Sequence, residues 1–408
     1  MSNKEHTGIL LGKTRILQIL EQLGNPQEKF ESIHVAGTNG KGSVCAFISA
    51  TLKEANIKTG SYNSPHLLTE RDSIRIDSNI VNKSIYEICR KRVEQADALL
   101  TTSATNFELT TATAFLCFAE LEIEIAVIEV GLGGLDDATN VIPPPLVCVI
   151  TKMGIDHTEY LGNTIQEISS HKAGIIKPLS GAVVLSSQSH PECISVFETT
   201  ARLNDVPLHK VLPATLTNGS NDFLIVFKSG LHGSYQLENA ATAAMALSLL
   251  PSKFLIVNDH IQQGFSKAFI AGRMENIDTQ FGNILVDGAH NISGCQMLRD
   301  YVNKHLRPNG AVSWIVGFTK GKKFQEMLNE LIIEGDIVYP VTFPSPPGMP
   351  WITCVSPSDI SKVTKVVDCD SSILKGLEMV DREITPNVVV AGSLYLVAQL
   401  YREIGKFE

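Results

Sequence analysis

The chain has 408 residues, 44% of them hydrophobic and 19% charged, with a formal net charge of -9 at pH 7. That is enough apolar material for two ordinary cores rather than one. The acidic balance excludes the usual nucleic-acid binder, which needs clustered Lys and Arg to displace counterions from phosphates, so small anionic ligands must be held by local cationic sites. No window approaches 18 consecutive apolar residues, and the N-terminal MSNKEHTGILL has neither a signal-peptide nor a transit-peptide pattern. A cytoplasmic protein, soluble and monomeric, with no membrane partner is expected. The eight cysteines are scattered without a CxxC pair and read as reduced core residues.

Short apolar runs alternate with longer helical patterns. The run 32–37 (SIHVAG) feeds a helical stretch over 42–55, and further runs follow at 125–131 and 146–151. Near-continuous Val, Ile and Leu is the signature of strands covered on both faces, so residues 1–271 are read as a doubly wound, mostly parallel α/β domain. Periodicity fades after 267, and the linker is placed at about 272–281. Alternation restarts at 283–288 and continues at 311–317, 336–341, 362–367 and 387–392, which predicts a smaller α/β domain over 282–408. The proline clusters at 143–145 and 344–350 read as loops.

Between the first strand and the first helix lies His34-Val35-Ala36-Gly37-Thr38-Asn39-Gly40-Lys41-Gly42-Ser43. Strand, glycine-rich turn and helix N-terminus together form a phosphate loop: glycines let backbone N–H groups turn toward an oxyanion, and the helix supplies the positive end of its dipole. Gly37 to Ser43 are the expected ATP contacts. Lys41 would offset charge on the β and γ phosphates, and Ser43 could support Mg²⁺. The loop departs from GxxxxGK[ST] in that Gly42 follows the lysine and the hydroxyl comes one place later. The plainer alternative, a glycine-rich turn with an incidental lysine, fits the flanking strand and helix less well.

Glu129 ends an apolar strand, where a carboxylate is costly to bury without a cationic partner; a metal is favoured over a structural ion pair. His157, after Asp156, reads equally as a helix-start residue. Lys172, in a predicted helix beside His171, reads on its own as a solvated face residue. Asp287 ends the first strand of the second domain at a βα turn, a position typical of sites, although an Asp-Gly turn is as ordinary an explanation. Phe107 on its helix is as readily a core aromatic as a ligand contact.

Taken in order, AGTNGKGS, SPHL (64–67), IEVGLGG (128–134), DATNV (137–141), DHTEYLG (156–162), HKAGIIKP (171–178), GRMENI (272–277) and DGAHN (287–291) resemble the folylpolyglutamate and dihydrofolate synthase family of the Mur ligase superfamily. The resemblance runs from about residue 34 to 395. It implies an N-terminal P-loop ATPase domain and a C-terminal Rossmann-like glutamate-ligase domain, with catalysis in the cleft between them. It assigns Ser64, Glu129 and His157 to one or two Mg²⁺ ions, and Lys172 to a carbamate that assists a second metal. Asn239 and Arg273 would contact ATP, and Asp287 and His290 would serve catalysis and the nucleotide from the second domain. Phe107 would stack on a pterin, with Asp137 and Ala138 beside it. A monovalent cation is a further cofactor that the resemblance leaves room for.

The implied reaction activates a carboxylate as an acyl phosphate and joins it to an amino acid. The stretches 346–360 and 388–400 look most like monofunctional dihydrofolate synthetases of folate-making eukaryotes, which favours dihydropteroate plus L-glutamate over extension of a glutamate tail. One departure stands out: the family usually reads GGRLDATN, whereas Leu135 and Asp136 here replace Arg-Leu. An added acid beside an anion site raises the local negative potential. An inactive pterin-binding relative therefore stays open, as does a regulatory P-loop ATPase, whose support is the loop alone.

Overall fold

The structure, a computed structural model, describes residues 11–212, 229–233, 235–346 and 349–406. The first ten residues, and positions 347 and 348 of the proline-rich stretch, lie outside the described residues. Two compact units are present, one comprising residues up to 230 together with 236–269 and the other 231–235 together with 270–408.

In the first unit, strands β1 (Glu31–Ala36), β2 (Thr59–Tyr62), β3 (Ile74–Ile76), β4 (Asn79–Ile80), β5 (Ile125–Glu129), β6 (Val147–Ile150), β7 (Ala182–Leu185) and β8 (Leu208–Lys210) form one sheet in the order β4-β3-β2-β5-β1-β6-β7-β8. From β2 to β8 all pairs are parallel, and every residue of β5, β6 and β7 is buried. This matches the uninterrupted apolar runs of a sheet covered on both faces. The antiparallel β3–β4 hairpin was not anticipated. Its turn residues Asp77 and Ser78 both adopt positive φ (47° and 66°), as a two-residue turn of matching twist requires. One face packs the helices Lys83–Leu100 and Asn106–Glu120, with Phe30 against Phe115 and Phe118. Farther along the same face, where Cys148 and Val183 stand in register with Ile128, pack the helices Ile165–Ala173 and Pro191–Leu203. The helices Lys41–Glu54 and Gln236–Ser248 cover the opposite face.

The second unit has β9 (Glu275–Thr279), β10 (Gly282–Asp287), β11 (Val312–Val316), β12 (Ile337–Pro340) and β13 (Asn387–Ala391), in the order β12-β11-β13-β10-β9. Only β9 runs antiparallel. Two expectations are corrected here. The stretch 272–281 is no free linker: Glu275–Thr279 is the edge strand β9, paired with β10, and alternates buried and exposed residues. The run 362–367 forms no strand; it is a turn followed by extended chain that gives one bond, Val367 N–H to Val338 O at 2.8 Å.

Candidate active site

The phosphate loop leaves the carboxyl end of β1 and enters the helix Lys41–Glu54. Gly37 has φ of +143°, and a Cβ there would lie 1.9 Å from Thr151 Oγ1, so only glycine fits on both counts. Thr38 N–H and Asn39 N–H both donate to the Lys152 carbonyl, at 3.0 and 3.1 Å. Thr38 Oγ1 donates to Gly154 O at 3.0 Å and accepts from Gly154 N–H at 3.1 Å. The first half of the loop is therefore fastened to the end of β6, and these two N–H groups do not point at an oxyanion as expected. The N–H groups of Lys41, Gly42 and Ser43 in the helix's first turn have no acceptor within the helix and are the ones placed to serve an anion.

Behind the loop stands the helix Gln236–Ser248. Gln236 Nε2 donates to Ser43 Oγ at 3.2 Å, and Asn239 Nδ2 donates to Gln236 Oε1 at 2.9 Å. Asn239 is buried so close to Gly40 that a Cβ on Gly40 would meet its Oδ1 at 2.3 Å. The structure thus brings Asn239 to the loop, through Gln236, a residue that sequence reading missed.

Two amines and a carboxylate converge on the loop. Lys41 Nζ lies 3.3 Å from Thr38 O and 3.9 Å from Glu129 Oε1, while Asn63 Nδ2 donates to Glu129 Oε2 at 2.9 Å. Lys172 Nζ donates to Gly37 O at 2.7 Å. Lys172 is not a solvated face residue but 5% exposed. Burial, and then the nearby charge of Lys41, bring its pKa down to about 7, against the opposing pull of Asp156 and Asp137.

Mg²⁺ binds through one or two carboxylates and keeps water or phosphate oxygens for the rest. Glu129 is a buried carboxylate beside the loop, with the Lys41 amine and the Asn63 amide nitrogen next to it. An Mg²⁺ ion there would be held by Glu129, and the resemblance adds the hydroxyl of Ser64, the residue that follows Asn63, with Ser43 at the start of the helix as a further oxygen. His157 caps the short helix Thr158–Leu161 with φ of +51°, and its ring sits 3.8 Å from Asp156. Among the described residues no group of three or more His, Cys, Asp and Glu side chains is arranged to hold a metal.

On the same unit, Phe107 packs on Tyr62, with ring centroids 6.2 Å apart, and fills the space over Gly131, where a Cβ would come within 2.4 Å of its ring. It closes the edge of the core. Asp137 is buried, and so is Ala138, which opens the 3-10 turn Ala138–Val141. The Asp137 carboxylate accepts from Leu132 N–H at 2.8 Å, Thr139 N–H at 3.0 Å and the Thr139 hydroxyl. Most of its acceptor capacity thus shapes its own loop, and burial pushes its pKa up. In place of the usual arginine, Leu135 is half exposed, its N–H bonded to His171 O at 2.8 Å.

Arg273, Asp287 and His290 belong to the second unit. Asp287 is buried and accepts from Met274 N–H at 2.8 Å and Ala289 N–H at 2.7 Å; burial pushes its carboxyl up, against the attraction of Arg273. Arg273 donates to Gly288 O at 3.3 Å, and His290 Nδ1 lies 2.9 Å from the same carbonyl. Asp287 therefore holds the backbone that carries the other two.

Residues 35–247 match the Mur ligase middle domain, and residues 272–403 match the dihydrofolate synthetase C-terminal domain. A probable dihydrofolate synthetase of Schizosaccharomyces pombe is 38% identical over 97% of this chain and 98% of its own length. The chain belongs to the dihydrofolate synthetase family of Mur ligases. The dihydrofolate synthetase of Saccharomyces cerevisiae, another member, is 34% identical, with 97% of this chain and 98% of its own covered. The fold of this family member is also that of the Escherichia coli FolC structure in complex with DHPP and ADP. That structure has a TM-score of 0.83 at 25% identity, covering 99% of this chain and 95% of that one.

Proposed function

We propose that the chain is a dihydrofolate synthase, an ATP-dependent ligase that joins L-glutamate to 7,8-dihydropteroate through an acyl phosphate. The observation that carries this reading is the convergence of Lys41, Lys172 and the Glu129 carboxylate on the Gly37–Ser43 loop. A regulatory P-loop switch needs no buried second lysine on the loop.

Amide formation from a free carboxylate is uphill, so the carboxylate must first become an electrophile. An oxygen of the dihydropteroate carboxylate attacks the γ phosphorus, and the β–γ bridging oxygen leaves with ADP. The glutamate amine then attacks the acyl carbon, phosphate departs with the bonding pair, and the nitrogen loses a proton to solvent. Lys41 and the first-turn N–H groups stabilise charge on the transferring phosphoryl oxygens. Mg²⁺ would be held by Glu129 with the Ser43 and Ser64 hydroxyls, and when bound would supply further charge compensation there. Burial and the charge of Lys41 favour the free amine of Lys172, the form that would add CO₂ and release a proton to give the carbamate implied by the resemblance. Phe107 offers a ring edge for the pterin.

The test is ADP release with dihydropteroate and glutamate supplied singly and together. Release only with both supports the ligase. Release without either points to a regulatory ATPase, and pterin binding without release to an inactive relative. Activity with tetrahydrofolate would add tail extension.

A further inference from the structure

Glu275 is a buried carboxylate outside the chemistry described above. Its Oε2 accepts from Gly272 N–H at 2.8 Å and from the Tyr401 hydroxyl, and its Oε1 pairs with Lys406 Nζ. The three donors come from the turn before β9, from the last helix (Leu394–Glu403) and from the residues that follow it. Buried carboxylates are costly unless charge and hydrogen bonds compensate them, and this one is compensated largely from the C-terminus.

What the carboxylate holds is the turn that carries Arg273. Gly272 N–H is fixed by Glu275, and Gly272 O accepts from Gly288 N–H at 2.8 Å. On the other side of Arg273, Met274 N–H is fixed by Asp287 at 2.8 Å. Gly272 has φ of +69°, and a Cβ there would press on Val397 Cγ1 at 2.7 Å, so the turn also lies tight against the last helix. Arg273 thus sits between two backbone N–H groups, each bonded to a different buried carboxylate. We infer that Glu275 is a positioning residue for Arg273, with Tyr401 and Lys406 as its supports, so that the C-terminal end of the chain tunes nucleotide affinity. This rests on the reading that Arg273 meets ATP.

Lys406 is the residue to change, because its side chain is 26% exposed whereas Glu275 and Tyr401 are buried. Lys406→Ala is expected to raise KM for ATP roughly three- to tenfold, the usual scale for loss of a partly buried charged partner, with kcat little changed. Lys406→Arg should restore it. Dissociation of a fluorescent ATP analogue, measured without the other substrates, should move in parallel. A fall in melting temperature with KM and dissociation unchanged would make the cluster merely structural and overturn the inference. Arg273→Ala is the companion variant: unchanged ATP affinity there would defeat the nucleotide reading and this inference with it. Weakened binding in Arg273→Ala but not in Lys406→Ala would defeat this inference alone.

Discussion

Lys172 Nζ is hydrogen-bonded at 2.7 Å to the carbonyl of Gly37, the residue that opens the phosphate loop. In the folded chain its pKa falls from 10.5 to about 7. The unfolded chain keeps that proton to about pH 10, so between these limits it binds more protons than the folded one. Stability is therefore expected to rise with pH across that window. Lys172→Met should flatten the dependence, read from urea midpoints between about pH 7 and about pH 10. Parallel slopes for the two proteins would mean that the amine is not buried as described.

Lys41→Ala removes the cation nearest the helix N-terminus and Glu129. Turnover should fall roughly a hundredfold to a thousandfold, the scale of losing one preorganised donor to a transferring group. The measurement is kcat at saturating ATP; a value near that of the unmodified protein would mean that the phosphates lie elsewhere.

Asn63 fixes one oxygen of Glu129 from the loop after β2. Outer-shell partners of a metal ligand typically contribute tenfold to a hundredfold in affinity or activity, so Asn63→Ala should raise the Mg²⁺ concentration for half-maximal activity by roughly tenfold. Glu129→Gln should have a larger effect, since it removes the charge itself. A Mg²⁺ dependence unmoved by both changes would assign Glu129 to Lys41 as a structural ion pair.

The parts of this arrangement that were legible in the sequence share one property. β1, β5 and β6 are buried on both faces and read as unbroken apolar runs, and the glycine spacing between β1 and its helix marks the loop. Lys172 reads as surface on residue type alone and is singled out only by the resemblance, although its helix carries the signal that buries it. With Ile165, Ile168 and Ser169 it follows the spacing i, i+3, i+4, i+7 and so lies on the buried stripe of its helix. Asn63 and Gln236 were not legible: their partners Glu129 and Ser43 are 66 and 193 positions away, and no local pattern encodes such contacts. β9 escaped because an edge strand buries only alternate residues, over too short a length to register.

Gly37→Ala tests the loop's geometry rather than its charge. The added methyl meets Thr151 Oγ1 at 1.9 Å, and φ of +143° is a conformation that L side chains rarely adopt. Backbone strain alone costs about 1–3 kcal/mol, and relief of the clash must move either the loop or β6. ATP affinity should drop severely while the protein stays folded. Unaltered ATP binding in this variant would show that the loop tolerates displacement and does not set the phosphate position.

Asp336 tests the second unit's core. Its side chain is fully buried and receives five donors: both guanidinium NH groups of Arg307 at 2.8 Å, Trp314 Nε1 at 2.9 Å, and the N–H groups of Val312 and Ile333 at 3.1 Å. Trp314 lies in the centre of that unit's apolar cluster, so the carboxylate anchors the β11 side of the sheet to the loop before β12. Asp336→Asn keeps the volume but replaces one acceptor with an amide that must face donors, leaving Arg307 without its counter-charge. Breaking a buried pair on one side costs roughly 3 kcal/mol or more. Urea unfolding should show the loss, with turnover below the transition preserved because no proposed substrate contact is touched. A midpoint indistinguishable from the unmodified protein would mean that the five donors find other partners.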